Sequence, residues 1–138
     1  MTTHEGHCLC GAVRFTADVV STRNSACHCG MCRRWAGGTP FFGVRTRDVK
    51  FEGGEHITRF ESSGWAERGF CARCGTHLFY FLKPLSTFMM GAGTFDDAAG
   101  FELASEIFID EKPPGYAFAG DHPRLTAAET LAKFTPKS

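Results

Sequence analysis

The sequence predicts a mainly β chain of packed antiparallel sheets with few short helices. Three observations carry that reading. Short stretches alternate apolar and polar residues, as half-buried strands do. Fourteen phenylalanines and sixteen glycines favour aromatic strands joined by tight turns. Seven cysteines fall into three groups, Cys8/Cys10, Cys27/Cys29/Cys32 and Cys71/Cys74, at spacings that suit metal ions.

Residues 7–18 alternate on either side of Gly11, with Val13, Phe15 and Ala17 on one face and Arg14, Thr16 and Asp18 on the other, which reads as strand, turn, strand. Cys8 and Cys10, two apart, are expected on one face of the first strand. Residues 21–25 are polar and read as a loop; a strand resumes near Ala26 and delivers Cys27 and Cys29 to one side. Residues 31–36 predict one helical turn that ends at Gly37-Gly38 and turns Cys32 back toward the other two sulfurs. Residues 40–46 and 56–61 are further strands, separated by the Gly53-Gly54 turn.

Trp65 to Phe70 alternates and runs into Cys71. Residues 76–82 are nearly continuous in apolar side chains and closed by Pro84, as expected of a central strand buried on both faces. Residues 87–91 and 106–109 carry shorter strand signals, and Lys112-Pro113-Pro114-Gly115 stops regular structure. Residues 126–134 predict a C-terminal helix, with Thr126 as cap, Glu129 at capping-box spacing and Leu131 and Phe134 three apart. No repeat or composition shift marks a boundary, so residues 1–138 read as a single domain.

Fifteen basic and fifteen acidic side chains cancel, so no nucleic acid or anionic membrane surface is expected as a partner. No apolar run approaches the ~18 residues of a membrane span. Residues 1–7 lack the basic and apolar regions of a secretory signal, and seven cysteines are odd in number. The expected setting is therefore the reducing cytoplasm rather than a disulfide scaffold. The spacings also match neither common ferredoxin cysteine run, which leaves zinc as the expected ion.

Cys8, Cys10, Cys71 and Cys74 together have the complement of a closed four-sulfur site, since neither pair completes one alone. A shared zinc there is structural, with apparent binding energies of roughly 10–16 kcal/mol. Cys27, Cys29 and Cys32 give three ligands, and a three-ligand zinc keeps its fourth position for water or substrate. Three thiolates leave such a metal with a net charge of about −1, which suits capture of an incoming thiol better than formation of hydroxide. Arg33 and Arg34 follow at once and are expected to neutralise the added sulfur charge or clamp a substrate carboxylate. His28 is expected to point away from the metal by strand alternation. His77 reads as a packed or surface histidine, Arg68 and Arg73 as solvated or substrate-binding, Phe41, Phe42 and residues 79–81 as core, and Asp96-Asp97 as a turn.

Three segments in order, Gly6-His7-Cys8-Leu9-Cys10-Gly11-Ala12-Val13-Arg14-Phe15, Cys27-His28-Cys29-Gly30-Met31-Cys32-Arg33 and Arg68-Gly69-Phe70-Cys71-Ala72-Arg73-Cys74-Gly75-Thr76, resemble the glutathione-dependent formaldehyde-activating enzyme family. The similarity covers residues 4–112. It implies a zinc-anchored fold of packed antiparallel sheets, a structural zinc on Cys8, Cys10, Cys71 and Cys74, and a catalytic zinc on Cys27, Cys29 and Cys32. It also implies a carbon–sulfur lyase that joins glutathione to formaldehyde as S-hydroxymethylglutathione. The same family includes centromere protein V-like proteins, and two other readings share these residues: a thiol-binding carrier or sensor, and a zinc-stabilised interaction module. Members commonly carry a Lys-x-Pro-Trp segment where this chain has Lys112-Pro113-Pro114-Gly115, so an aromatic wall is not expected there.

Overall fold

Nine strands and two α-helices supply most of the regular structure of residues 2–134, which the computed structural model describes. The strands are β1 (Thr2–His7), β2 (Arg14–Val19), β3 (Arg23–Cys27), β4 (Phe41–Glu52), β5 (Ile57–Ser63), β6 (Ala66–Cys71), β7 (His77–Leu82), β8 (Thr87–Gly91) and β9 (Glu102–Ile107); the helices are α1 (Gly30–Ala36) and α2 (Ala127–Phe134). The fold is mainly β and antiparallel, as the alternation implies. The chain sorts into two compact units, residues 2–22 with 43–102, and residues 23–42 with 103–134.

In the first unit the strand order is β1-β2-β4-β8-β7-β6-β5, with β4 taking part from Gly43 onward. Val13, Phe15, Ala17 and Val19 are buried in alternation with more exposed neighbours, the period-2 signature of a half-buried strand. Residues 76–82 were expected at the centre of the sheet. β8 holds the middle of this order and β7 lies beside it, although no residue of β7 is fully exposed. β4 runs beyond residue 46 because Asp48, at φ 52°, absorbs a bulge where β2 shifts register between Thr16 and Asp18.

Stacked phenylalanines fill this unit. Phe79 meets Phe88 edge to face at 4.8 Å between centroids and Phe51 at 5.7 Å, while Phe15 meets Phe95 edge to face at 5.3 Å. Gly69 makes room for them, since a Cβ at that position would sit 2.2 Å from the Phe79 ring.

In the second unit β3 begins at Arg23, earlier than the polar run 21–25 suggests, and pairs with Phe41–Phe42 and with β9. β9 starts at Glu102 rather than Glu106 and ends where Phe108 turns left-handed at φ 55°. The helical turn after Cys29 is present and closes on Gly37 at φ 87°. Trp35 of α1 packs against Phe41, with 5.3 Å between ring centroids. The expected capping box also forms: Glu129 N–H donates to Thr126 Oγ1 at 3.2 Å, and Thr126 N–H donates to Glu129 Oε1 at 2.9 Å. Leu131, three residues from Phe134, is 57% exposed; the Phe134 side chain lies outside the described residues. Thr130 is buried instead, its hydroxyl donating to Thr126 O and accepting from Phe108 N–H.

Replacing Gly69 with alanine forces a methyl into the Phe79 ring, and overpacking of this kind typically costs about 1–3 kcal/mol. Chemical denaturation should show a loss in that range for Gly69→Ala, whereas Gly64→Ala, where a Cβ meets open space, should lose much less.

Candidate metal centres

Two backbone knuckles bring the first cysteine group together. Cys8 N–H donates to Val13 O and Gly11 N–H to Cys8 O, both at 3.0 Å, with Gly11 at φ 78°. The Cys71 knuckle repeats this arrangement: Cys71 N–H reaches Thr76 O at 2.9 Å, Gly75 N–H reaches Cys71 O at 2.7 Å, and Gly75 sits at φ 81°. β1 therefore ends at His7, and Cys8 and Cys10 lie in a turn rather than on the strand face expected for them. The left-handed glycine lets the chain wrap around its own sulfur. Leu9 N–H donates to Thr76 Oγ1 at 3.0 Å and ties one knuckle to the other.

The sulfurs of Cys8, Cys10, Cys71 and Cys74 all lie within 4.8 Å of one another. Cys8 and Cys10 are 3.6 Å apart, and Cys10 and Cys71 are 3.9 Å apart. A tetrahedral zinc with bonds of ~2.3 Å places its sulfurs ~3.8 Å apart, so the donor set fits that ion. Its thiols differ among themselves. Burial raises Cys8, but a bond from Val13 N–H and contacts with Cys10 and Cys71 outweigh it and hold the thiol below its ordinary range. Bonds from the Thr76 hydroxyl and amide and from the Cys10 backbone draw Cys74 down to about 5. Cys10 is lowered by Ala12 N–H yet pushed up to about 11 by desolvation and its three sulfur neighbours. Four adjacent thiolates resist one another, and a divalent cation relieves the conflict.

The second group, Cys27, Cys29 and Cys32, has three sulfurs within the same span. β3 delivers Cys27, and α1 turns Cys32 into a buried position. Cys29 caps α1: its sulfur accepts from Cys32 N–H at 3.3 Å while its carbonyl accepts from Arg33 N–H at 2.9 Å. Contact with Cys29 and Cys32, together with burial, pushes the Cys27 thiol far above its ordinary value. The set also fits zinc, with one ligand fewer than the first cluster.

His28 sits between two of these cysteines and is fully buried. Its Nε2 lies 2.7 Å from Glu106 Oε1, and Glu106 Oε2 lies 2.6 Å from His122 Nε2 and 3.0 Å from Arg124 Nε. Burial raises the Glu106 carboxyl, but these three partners overcome it and hold the group below the ordinary carboxylate range. On the other side of the imidazole, Nδ1 faces the Tyr116 hydroxyl at 3.3 Å. Tyr116 and Phe118 both pack on the His28 ring, about 6 Å between centroids. Both rings come from residues beyond the Lys112-Pro113-Pro114-Gly115 segment that lacks the tryptophan, and they cover His28. Nothing local in the sequence marks Glu106, His122 or Tyr116 for this role, because their partners lie 16 to 88 residues away.

The remaining expectations sort quickly. Arg33 is half-buried, and its Nε is a buried donor with no hydrogen-bond partner among the described residues. Its charge lowers the Tyr116 phenol, although burial raises that group overall. Arg34 and Arg73 are exposed. Arg68 is neither solvated nor free for substrate: it is 2% exposed, donates to Ser62 Oγ at 3.2 Å and lies over Tyr80. His77 is half-buried, and desolvation lowers its pKa. Asp97 Oδ1 accepts from Ala99 N–H, the turn expected there.

A family profile described as glutathione-dependent formaldehyde-activating enzyme matches residues 3–111. The chain belongs to that family. A Schizosaccharomyces pombe protein described as an uncharacterized lyase is 31% identical over 133 residues, covering 95% of this chain and 96% of its own length. A Halomonas elongata protein described as a candidate glutathione-dependent formaldehyde-activating enzyme is 35% identical over 88 residues, 56% of this chain and 55% of its own length. A crystal structure of a Rhodobacter sphaeroides protein shares the fold, with a TM-score of 0.59 at 19% identity over 87% of this chain and 98% of that one. The seven cysteines that form the two clusters all fall inside the segment matched to the formaldehyde-activating family.

Truncating Glu106 leaves His28, His122 and Arg124 without their shared buried acceptor, a change that costs about 3–5 kcal/mol where a buried pair is broken. Denaturation of Glu106→Ala should report a loss of that size, and Glu106→Gln a smaller one. Because the folded pKa is lowered, the carboxylate's contribution is present above the ordinary value of 4.5 and fades as pH falls below it. The acid limb of the stability curve should accordingly be flatter in Glu106→Gln.

Proposed function

We propose that this chain is a zinc-dependent carbon–sulfur lyase that joins glutathione to formaldehyde as S-hydroxymethylglutathione. The observation that carries this reading is the unequal pair of clusters, four mutually close sulfurs in one and three in the other. In this reading Cys8, Cys10, Cys71 and Cys74 hold a structural zinc, and Cys27, Cys29 and Cys32 hold a reactive one with a ligand position left for substrate sulfur. Zinc supplies there the means to bind a thiol as its thiolate at neutral pH.

The rest falls to the protein's own groups. In the reaction the glutathione sulfur forms the new bond to the formaldehyde carbon, the carbonyl π bond opens, and the thiol's proton ends on the product hydroxyl. Arg33 brings positive charge beside Cys32 and a buried donor for a glutathione carboxylate, and Arg34 adds a solvent-facing cation. Burial raises the Tyr116 phenol, whose hydroxyl faces His28 Nδ1 at 3.3 Å. The His28–Glu106 bond holds the backbone between Cys27 and Cys29 in place, which preserves the sulfur spacing.

Serine at position 29 still caps α1, so Cys29→Ser should remain folded. Its rate of S-hydroxymethylglutathione formation should fall to the spontaneous rate, while the unaltered enzyme exceeds it. Cys74→Ser should instead yield little soluble protein. In cobalt-substituted protein, glutathione should change the thiolate charge-transfer bands; a change in the bands without rate enhancement would make the protein a thiol carrier, and no change at millimolar glutathione would remove both thiol-based readings.

A further inference from the structure

Among the described residues the strand order of the first unit ends at β5, which pairs with β6 on one side only. Its middle is open to solvent: residues 58–61 are all exposed, Phe60 at 62%. Trp65, in the turn from β5 to β6, is 53% exposed; its carbonyl accepts from Lys83 N–H, and Leu85, two residues on from Lys83, is 57% exposed. An edge strand carrying exposed aromatic residues is a template for another strand unless something blunts it.

The hydrogen-bond phase of β5 shows which residues face outward. Ala72 N–H donates to His56 O, which makes Ile57 and Cys71 a non-hydrogen-bonded pair in the antiparallel ladder. Alternation then turns Thr58 and Phe60 inward to bond with Phe70 and Arg68, and leaves the amides and carbonyls of Arg59 and Glu61 pointing away from the sheet.

We propose that β5 is a self-association edge, pairing antiparallel with β5 of a second copy in a register centred on Phe60. A two-fold contact between identical strands makes the register self-complementary. The outward groups of residues 59 and 61 must meet outward groups. Centring on Arg59 places arginine opposite arginine, and centring on Glu61 places glutamate opposite glutamate. Centring on Phe60 sets Arg59 opposite Glu61 of the second copy twice over, with both exchanging main-chain hydrogen bonds. Phe60 then meets its own counterpart in the closer, non-hydrogen-bonded position, where aromatic pairs contribute most. Both charged side chains already lie on the face opposite Phe60: Arg59 sits over the rings of Phe79, Phe81 and Phe88, and Glu61 pairs with Lys83 at 3.2 Å. The charge pattern of the strand thus selects one register out of the competing ones, and the selected occupant is a second copy of this chain.

Sedimentation equilibrium from micromolar to millimolar protein tests this directly. The unaltered chain should show a monomer–dimer equilibrium. Glu61→Arg should weaken the dimer by roughly tenfold or more, because two attractive cross-strand pairs become two repulsive ones. Arg59→Glu combined with Glu61→Arg should restore it to near its original strength, with circular dichroism confirming that each variant is folded. As a second readout, the amides of Arg59 and Glu61 should exchange slowly in concentrated protein and rapidly on dilution. A monomer throughout the range, or a dimer indifferent to both charge changes, would overturn the proposal.

Discussion

Thiolates crowded at sulfur contact repel one another, and both candidate centres in this chain are built on that repulsion. Seven free cysteines gather into a set of four and a set of three, each with sulfurs within 4.8 Å. In the first set hydrogen bonds favour ionisation of Cys8 and Cys74 while the neighbours hold Cys10 back. In the second, contact and burial force Cys27 toward the protonated form. Both sets could hold a metal ion, and the 3.6 and 3.9 Å sulfur spacings in the first suit a tetrahedral zinc.

The two sets differ in how the chain supports them. The four-sulfur set rests on two glycine knuckles joined through Leu9 and Thr76, a short-range backbone solution repeated at two places in the sequence. The three-sulfur set rests on a strand end, a helix cap and, behind them, a buried carboxylate shared by two histidines and an arginine. A buried network of this kind is stable only while every partner is present, because each lost partner leaves a desolvated polar group unpaired. That network holds His28, the residue between Cys27 and Cys29.

Much of this was legible in the sequence because it is local. The cysteine spacings, the α1 stop at Gly37, the strand at residues 87–91 and the Thr126–Glu129 capping box all involve groups within a few residues of one another. The cysteines of the two centres could be named for the same reason. What was missed is non-local or set by a single dihedral angle. Glu106 reaches His28 across 78 residues, and Tyr116 reaches it across 88, with no periodicity to announce either contact. Arg68 looks like a surface residue in sequence yet is covered because it lies on the Tyr80 side of β6. Cys8 and Cys10 share the spacing of a strand face, but a left-handed Gly11 converts that spacing into a knuckle.

The central claim is that one chain carries a closed sulfur site and an open one, each built for zinc. Crystallography of the zinc-loaded protein with anomalous data at the zinc edge tests it in one experiment. The account predicts two zinc ions, one bound by Cys8, Cys10, Cys71 and Cys74 and the other by Cys27, Cys29 and Cys32, with a non-protein atom as fourth ligand that becomes a sulfur at ~2.3 Å when glutathione is added. A single zinc, or a second zinc whose fourth ligand comes from the protein itself, would contradict it.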